Sequence, residues 1–114
     1  MDTLPIINRT YEVYKSVVDI VNHSEKRWRY SIGVSLEQTI MSCFQELIMA
    51  KNAPKPFKAS YLIKASSYLE IATFQLRLFL ELKIVNETKI FQTQAKLSEI
   101  GRQLGGWLKS LNST

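Results

Sequence analysis

The sequence predicts an all-α fold, an antiparallel up-down-up-down four-helix bundle, from three observations. Four segments carry apolar residues at three- and four-residue spacing, short polar or proline-bearing breaks separate them, and no run alternates with the period of two that strands require. Connections this short make consecutive helices antiparallel neighbours. The 114 residues read as one domain, 1–114.

The first helix is expected over about 4–23. Leu4, Ile7, Tyr11, Tyr14, Val18 and Val21 form one stripe, with Ile6, Val13, Val17 and Ile20 as a second beside it. Pro5 suits a first turn, where its missing N–H is no loss. After the polar break from Asn22 to Arg29, helix two is expected over about 30–51, with Gly33, Leu36 or Glu37, Ile40, Phe44, Leu47 and Ile48 facing inward. Pro54 and Pro56 end it.

Helix three, about 57–83, has the most regular pattern. Leu62, Ala65, Leu69, Ala72, Leu76 and Phe79 keep strict 3-4 spacing, and the small alanines permit close helix approach. It too has a second stripe: Tyr61, Tyr68, Ile71, Phe74, Leu78 and Leu82. Helix four, about 86–112, is capped by Asn86 and lined by Ile90, Gln94 or Ala95, Leu97, Ile100, Leu104, Trp107, Leu108 and Leu111. One apolar face per helix suffices for a four-helix monomer. The surplus on helices one and three means either a wide core or a face left for another chain; self-association is the favoured reading, with Tyr61, Tyr68 and Phe74 at an interface or closely packed.

Catalytic chemistry has little to work with. His23 is the only histidine and sits in a turn, while Cys43 reads as a small packed residue. No Glu-x-x-His pair exists, so neither a metal nor a cofactor is expected. The run Gly101-Arg102-Gln103-Leu104-Gly105-Gly106 lacks the lysine and strand of a phosphate loop. Inside a helical pattern, these glycines read as a close-packing device beside the anchor Trp107. No leader or membrane span is evident in the sequence and there is a single cysteine, which together predict a cytoplasmic protein.

The formal charge of +5 favours a polyanion or an acidic partner. Lys26, Arg27 and Arg29 surround Trp28 at the first connection, and Lys83 and Lys89, from the third, join the same end. Phosphate binding with base stacking on Trp28 is one reading of this end, a solvated turn the other. Lys51, Lys55 and Lys58 surround the proline loop at the opposite end. Arg77, in an apolar run, is expected to reach a partner, a carboxylate or a subunit boundary.

Several segments together resemble the accessory variability determinant (Avd) family of diversity-generating retroelements. They are Lys26-Arg27-Trp28-Arg29-Tyr30-Ser31-Ile32-Gly33, Glu46-Leu47-Ile48-Met49-Ala50 and Leu76-Arg77-Leu78-Phe79-Leu80. Most specific is Ile100-Gly101-Arg102 followed by Gly105-Gly106-Trp107. The resemblance implies a four-helix bundle assembled into a homopentameric barrel. It implies association with a reverse transcriptase, which carries the polymerase chemistry, and RNA or DNA binding through a positive surface. Lys26, Arg27, Arg29, Arg77 and Arg102 are the binding or assembly residues it points to. A related branch, four-helix proteins encoded by intervening sequences in ribosomal RNA genes, shares the fold; a structural or regulatory bundle that binds only protein is the alternative.

Overall fold

The computed structural model describes residues 3–112. Its main helices are α1 (Leu4–Asn22), α2 (Val34–Asn52), α3 (Lys55–Glu81) and α4 (Glu87–Leu111). Each packs against its two neighbours around the bundle, α1 on α2 and α4, and α3 on α2 and α4, as short antiparallel connections require. The α2–α3 pair shares the most extensive interface. The bundle measures 49 × 22 × 19 Å.

α1 begins as its sequence suggests, with Pro5 in the first turn. Of its two stripes, the second is the inner one. Ile6, Val13, Val17 and Ile20 are buried, together with Ile7 and Val21. Tyr11 is exposed, and Tyr14 and Val18 are half-buried. The reason is packing geometry: α1 touches two helices, so the line between them is fully covered. Tyrosines fit the rim, where their rings bury while their hydroxyls stay wet. The Leu4 side chain lies outside the described residues.

The path into α2 also departs from a plain turn. A single helical turn, Lys26–Trp28, leads into a π-helical segment, Arg29–Gly33, and then into α2. The helical path thus starts earlier than position 30. From there Leu36, Ile40, Cys43, Leu47 and Ala50 enter the core, Leu36 taking the place that Glu37 was considered for.

α3 buries the predicted line Leu62, Ala65, Leu69, Ala72, Leu76 and Phe79. It starts two residues before the expected Phe57, because Pro56 falls in the first turn where no N–H partner is lost. It ends in a Schellman motif. The Ile84 N–H donates to the Phe79 carbonyl at 3.1 Å, and the Lys83 N–H to that of Leu80 at 3.1 Å. Lys83 takes the left-handed seat at φ 52°, a conformation more usual for glycine.

In α4, Asn86 Oδ1 accepts from the Thr88 N–H at 2.7 Å, as an N-cap should. Ile90, Leu97, Ile100, Leu104 and Trp107 are buried as expected. The position between Ile90 and Leu97 is filled by Thr93, not Gln94 or Ala95. Its hydroxyl donates to the Lys89 carbonyl at 2.9 Å. Thr10 and Ser24, also buried, donate in the same way to Ile6 and Val21. Burial of these hydroxyls therefore leaves no donor unmatched.

Candidate nucleic-acid and partner interface

The first and third connections lie at one end of the bundle, here the turn end. It brings Lys26, Arg27, Trp28 and Arg29 together with Lys83 and Lys89. Most of these cations are already engaged. Arg29 Nη2 donates to the carbonyls of Asn22 and Ser24, each at 3.2 Å, and so closes the C-terminal end of α1. The Arg27 guanidinium lies 4.1 Å from the Trp28 ring centroid, covering one face of the indole. Lys89 Nζ meets Asp19 Oδ2 at 2.5 Å, tying α4 to α1, and this contact holds the Asp19 carboxyl below its ordinary pKa. Lys26 and Lys83 are exposed.

Arg77 reaches a carboxylate on its own helix, with Nε 2.9 Å from Glu81 Oε1. Arg102 lies in the opposite half of the bundle, paired with Glu99 through two hydrogen bonds. That pairing lowers the Glu99 pKa and raises that of Arg102. His23 is exposed, its Nδ1 2.8 Å from the Asp19 carbonyl oxygen. Cys43 is fully buried and its thiol is pushed up to about 12 by desolvation, then by the nearby Glu46 carboxylate. No group of three or more His, Cys, Asp or Glu could hold a metal ion among the described residues. No described helix is long and apolar enough to cross a membrane.

The glycines of α4 are not the close-packing device expected within the chain. Gly101, Gly105 and Gly106 are exposed, and a Cβ on any of them would meet nothing within 4 Å. The helix register explains this, since Ile100, Leu104 and Trp107 occupy the inner line and put the glycines outside. Trp107 is a core residue, and Tyr61 and Tyr68 lean half-buried against the core.

The second stripe of α3 is exposed in its C-terminal half. Ile71, Phe74, Leu78 and Leu82 stand on the face away from the core line, Phe74 with 63% of its surface in water. At the other end of the bundle, Lys51 and Lys55 are exposed beside the proline loop, and Lys64 is exposed further along α3. Phe57, between them in sequence, is 61% exposed. Lys58 is engaged instead, donating to the carbonyls of Ala50 at 2.7 Å and Lys51 at 3.0 Å, which closes the end of α2. Phe57 was read only as a helix start. The signal that could have singled it out is the absence of any acid between Glu46 and Glu70, a stretch with four lysines.

Fold and surface together define a four-helix bundle whose outer faces carry an apolar stripe and unequal cationic ends. The chain belongs to the bAvd-like family, whose model matches residues 4–111. No curated protein matches it.

Proposed function

We propose that the protein is a non-enzymatic accessory factor of a diversity-generating retroelement, working in the cytoplasm. In this reading it binds the element's reverse transcriptase and its template RNA or DNA, and so supports mutagenic copying. Membership of the bAvd-like family over residues 4–111 carries the proposal. The basic balance of the chain supports contact with a phosphate backbone. The polymerase supplies the chemistry; this chain supplies binding.

Self-association, as a pentamer, is the second part of the reading. Ile71, Phe74, Leu78 and Leu82 form an apolar strip that a lone bundle leaves in water, and burial against another copy would remove that cost. Copies arranged in a ring would also repeat each local cluster of cations, strengthening a modest charge. Lys26, Arg27, Arg77 and Lys83 lie at or near the turn-end part of this strip, where a polymerase could contact both.

Co-expression with the reverse transcriptase encoded beside the gene tests the partner. The two are expected to co-purify in fixed stoichiometry, and their separation at physiological salt would overturn that part. Light scattering tests the assembly. The natural chain is expected to be oligomeric and the double variant Phe74→Lys, Leu78→Lys monomeric; a monomeric natural chain at micromolar concentration would refute self-association.

A further inference from the structure

Charge is distributed unequally between the two ends of the bundle. At the turn end, Asp19, Glu25, Glu37, Glu81 and Glu87 are interspersed with Lys26, Arg27, Arg29, Arg77, Lys83 and Lys89. Opposite charges this close cancel at distance, since exposed charges are screened beyond a Debye length of roughly 10 Å at 0.1 M salt. Several of these cations are also bound to carbonyls, carboxylates or an indole.

The proline-loop end is different. The stretch between Glu46 and Glu70 carries Lys51, Lys55, Lys58 and Lys64 and no acid. The antiparallel fold brings two further acid-free stretches to the same end, Thr3 to Tyr11 and the part of α4 after Glu99, whose arginines, Arg9 and Arg102, both act on Glu99. No carboxylate pairs with Lys51, Lys55 or Lys64 among the described residues. Lys64 Nζ instead lies 5.8 Å from the Tyr61 ring centroid, one turn from the exposed Phe57. Uncancelled lysines with a bare aromatic among them match what a single strand needs: phosphate neutralisation beside a platform on which an unstacked base can lie. A duplex keeps its bases stacked and would leave Phe57 unused.

Resting on the nucleic-acid part of the reading above, we infer that the proline-loop end is a single-stranded nucleic-acid site. Lys51, Lys55 and Lys64 contact phosphates, and Phe57 stacks on a base. Lys55 and Lys64 are nine residues apart on α3. At about 1.5 Å and 100° per residue they lie about 14 Å apart along the axis and on opposite sides of the helix, Lys64 on the side of Phe57, so a strand touching all three crosses the start of α3. The turn end, where the sequence first placed this role, is left to protein contacts and to holding α1 against the start of α2.

The test is fluorescence anisotropy of the full chain with a labelled oligothymidylate and with a duplex, across a salt series. In the triple variant Lys51→Glu, Lys55→Glu, Lys64→Glu, single-strand affinity is expected to fall at least about tenfold. The slope of log affinity against log salt should shrink by about two, at roughly 0.7 per single-strand phosphate contact. The triple glutamine variant, with a helical spectrum equal to that of the natural chain, should move the same way. Phe57→Ala is expected to weaken single-strand binding about fivefold or more and leave duplex binding unchanged. Lys26→Glu with Arg27→Glu is the control and should change affinity by less than about twofold, within the loss of one weak contact.

Loss of binding in the turn-end control alone would move the site there, overturning this inference while the retroelement reading stands. Failure of the natural chain to bind any nucleic acid would remove the nucleic-acid part of that reading, and this inference with it. Equal loss of polyglutamate and oligothymidylate binding in the lysine variants, with no effect of Phe57→Ala, would make the site a general polyanion or acidic-protein surface and refute the single-strand assignment.

Discussion

Gly33 lies so close to Val21 that a Cβ built on it falls 2.9 Å from Val21 Cγ1. Val21 is buried and its β-branched side chain has little rotamer freedom, so it cannot swing aside as a lysine tip would. The start of α2 can therefore approach α1 only with a glycine at this position. Gly33→Ala is expected to destabilise the fold, because an overpacking cost of about 1–3 kcal/mol exceeds the gain in helix propensity of about 1 kcal/mol. Gly105→Ala and Gly106→Ala are expected to do the opposite, each gaining about 0.5–1 kcal/mol, since nothing lies within 4 Å of either added carbon. Urea midpoints of the three variants decide it. A loss at Gly105 or Gly106 would instead place those glycines against a neighbouring copy.

Arg29 is the structural member of the basic turn. Its Nη2 serves the carbonyls of Asn22 and Ser24, beside the Ser24 hydroxyl and the His23 ring that meet the carbonyls of Val21 and Asp19. Arg29→Ala should lower stability by about 1–2 kcal/mol, the range for losing a charge-assisted hydrogen bond at a part-buried site. Lys26→Ala, at an exposed residue, should cost under about 0.5 kcal/mol. Equal thermal shifts for the two would contradict the role given to Arg29.

Lys83 is the one described non-glycine residue with positive φ. Holding a side chain in the left-handed region costs roughly 1 kcal/mol, and the Schellman motif that demands it is otherwise complete. Lys83→Gly should raise the melting temperature by a few degrees, whereas Lys83→Val should lower it. No gain from glycine would mean that the lysine makes a compensating contact.

The Asp19–Lys89 pair should leave a trace in acid. Lys89 depresses the carboxyl of Asp19, so its contribution is present above the ordinary carboxylate pKa and lost as pH falls through the lowered folded-state value. The stability difference between the natural chain and Asp19→Asn is therefore expected at neutral pH and should vanish in strong acid. A difference that persists below both values would need another cause.

Cys43 gives the alkaline counterpart. Its buried thiol is pushed up to about 12, so in the folded chain it stays protonated while an unfolded thiol ionises near 8.5. Stability should fall as pH rises from about 8.5 towards that value, because the unfolded state releases the proton first. At pH near 8, labelling by an aromatic disulfide reagent should proceed only at the rate of global opening. Immediate labelling would show the thiol to be accessible.

The core of α3 was legible in full, because Leu62, Ala65, Leu69, Ala72, Leu76 and Phe79 keep an unbroken 3-4 spacing, whereas the second stripe on the helix skips from Tyr61 to Tyr68. On α1 two apolar stripes did compete, and periodicity cannot rank them: which is buried depends on where α2 and α4 lie. The candidate site was legible as residue types and not as availability. Arg27, Arg29, Arg77, Lys89 and Arg102 are all cations in the sequence, but only coordinates reveal that an indole, two carbonyls or a carboxylate already occupies each. The π-helical entry to α2 had no sequence signal beyond Gly33 itself.

The sequence by itself determined the helices, their order and their antiparallel sense, since spacing, caps, prolines and short breaks are local and act before any packing. Only the tertiary structure decided which faces are covered, which cations remain free and which end of the bundle carries net positive charge. Burial and pairing depend on residues far apart in the chain, brought together when the helices close into one bundle.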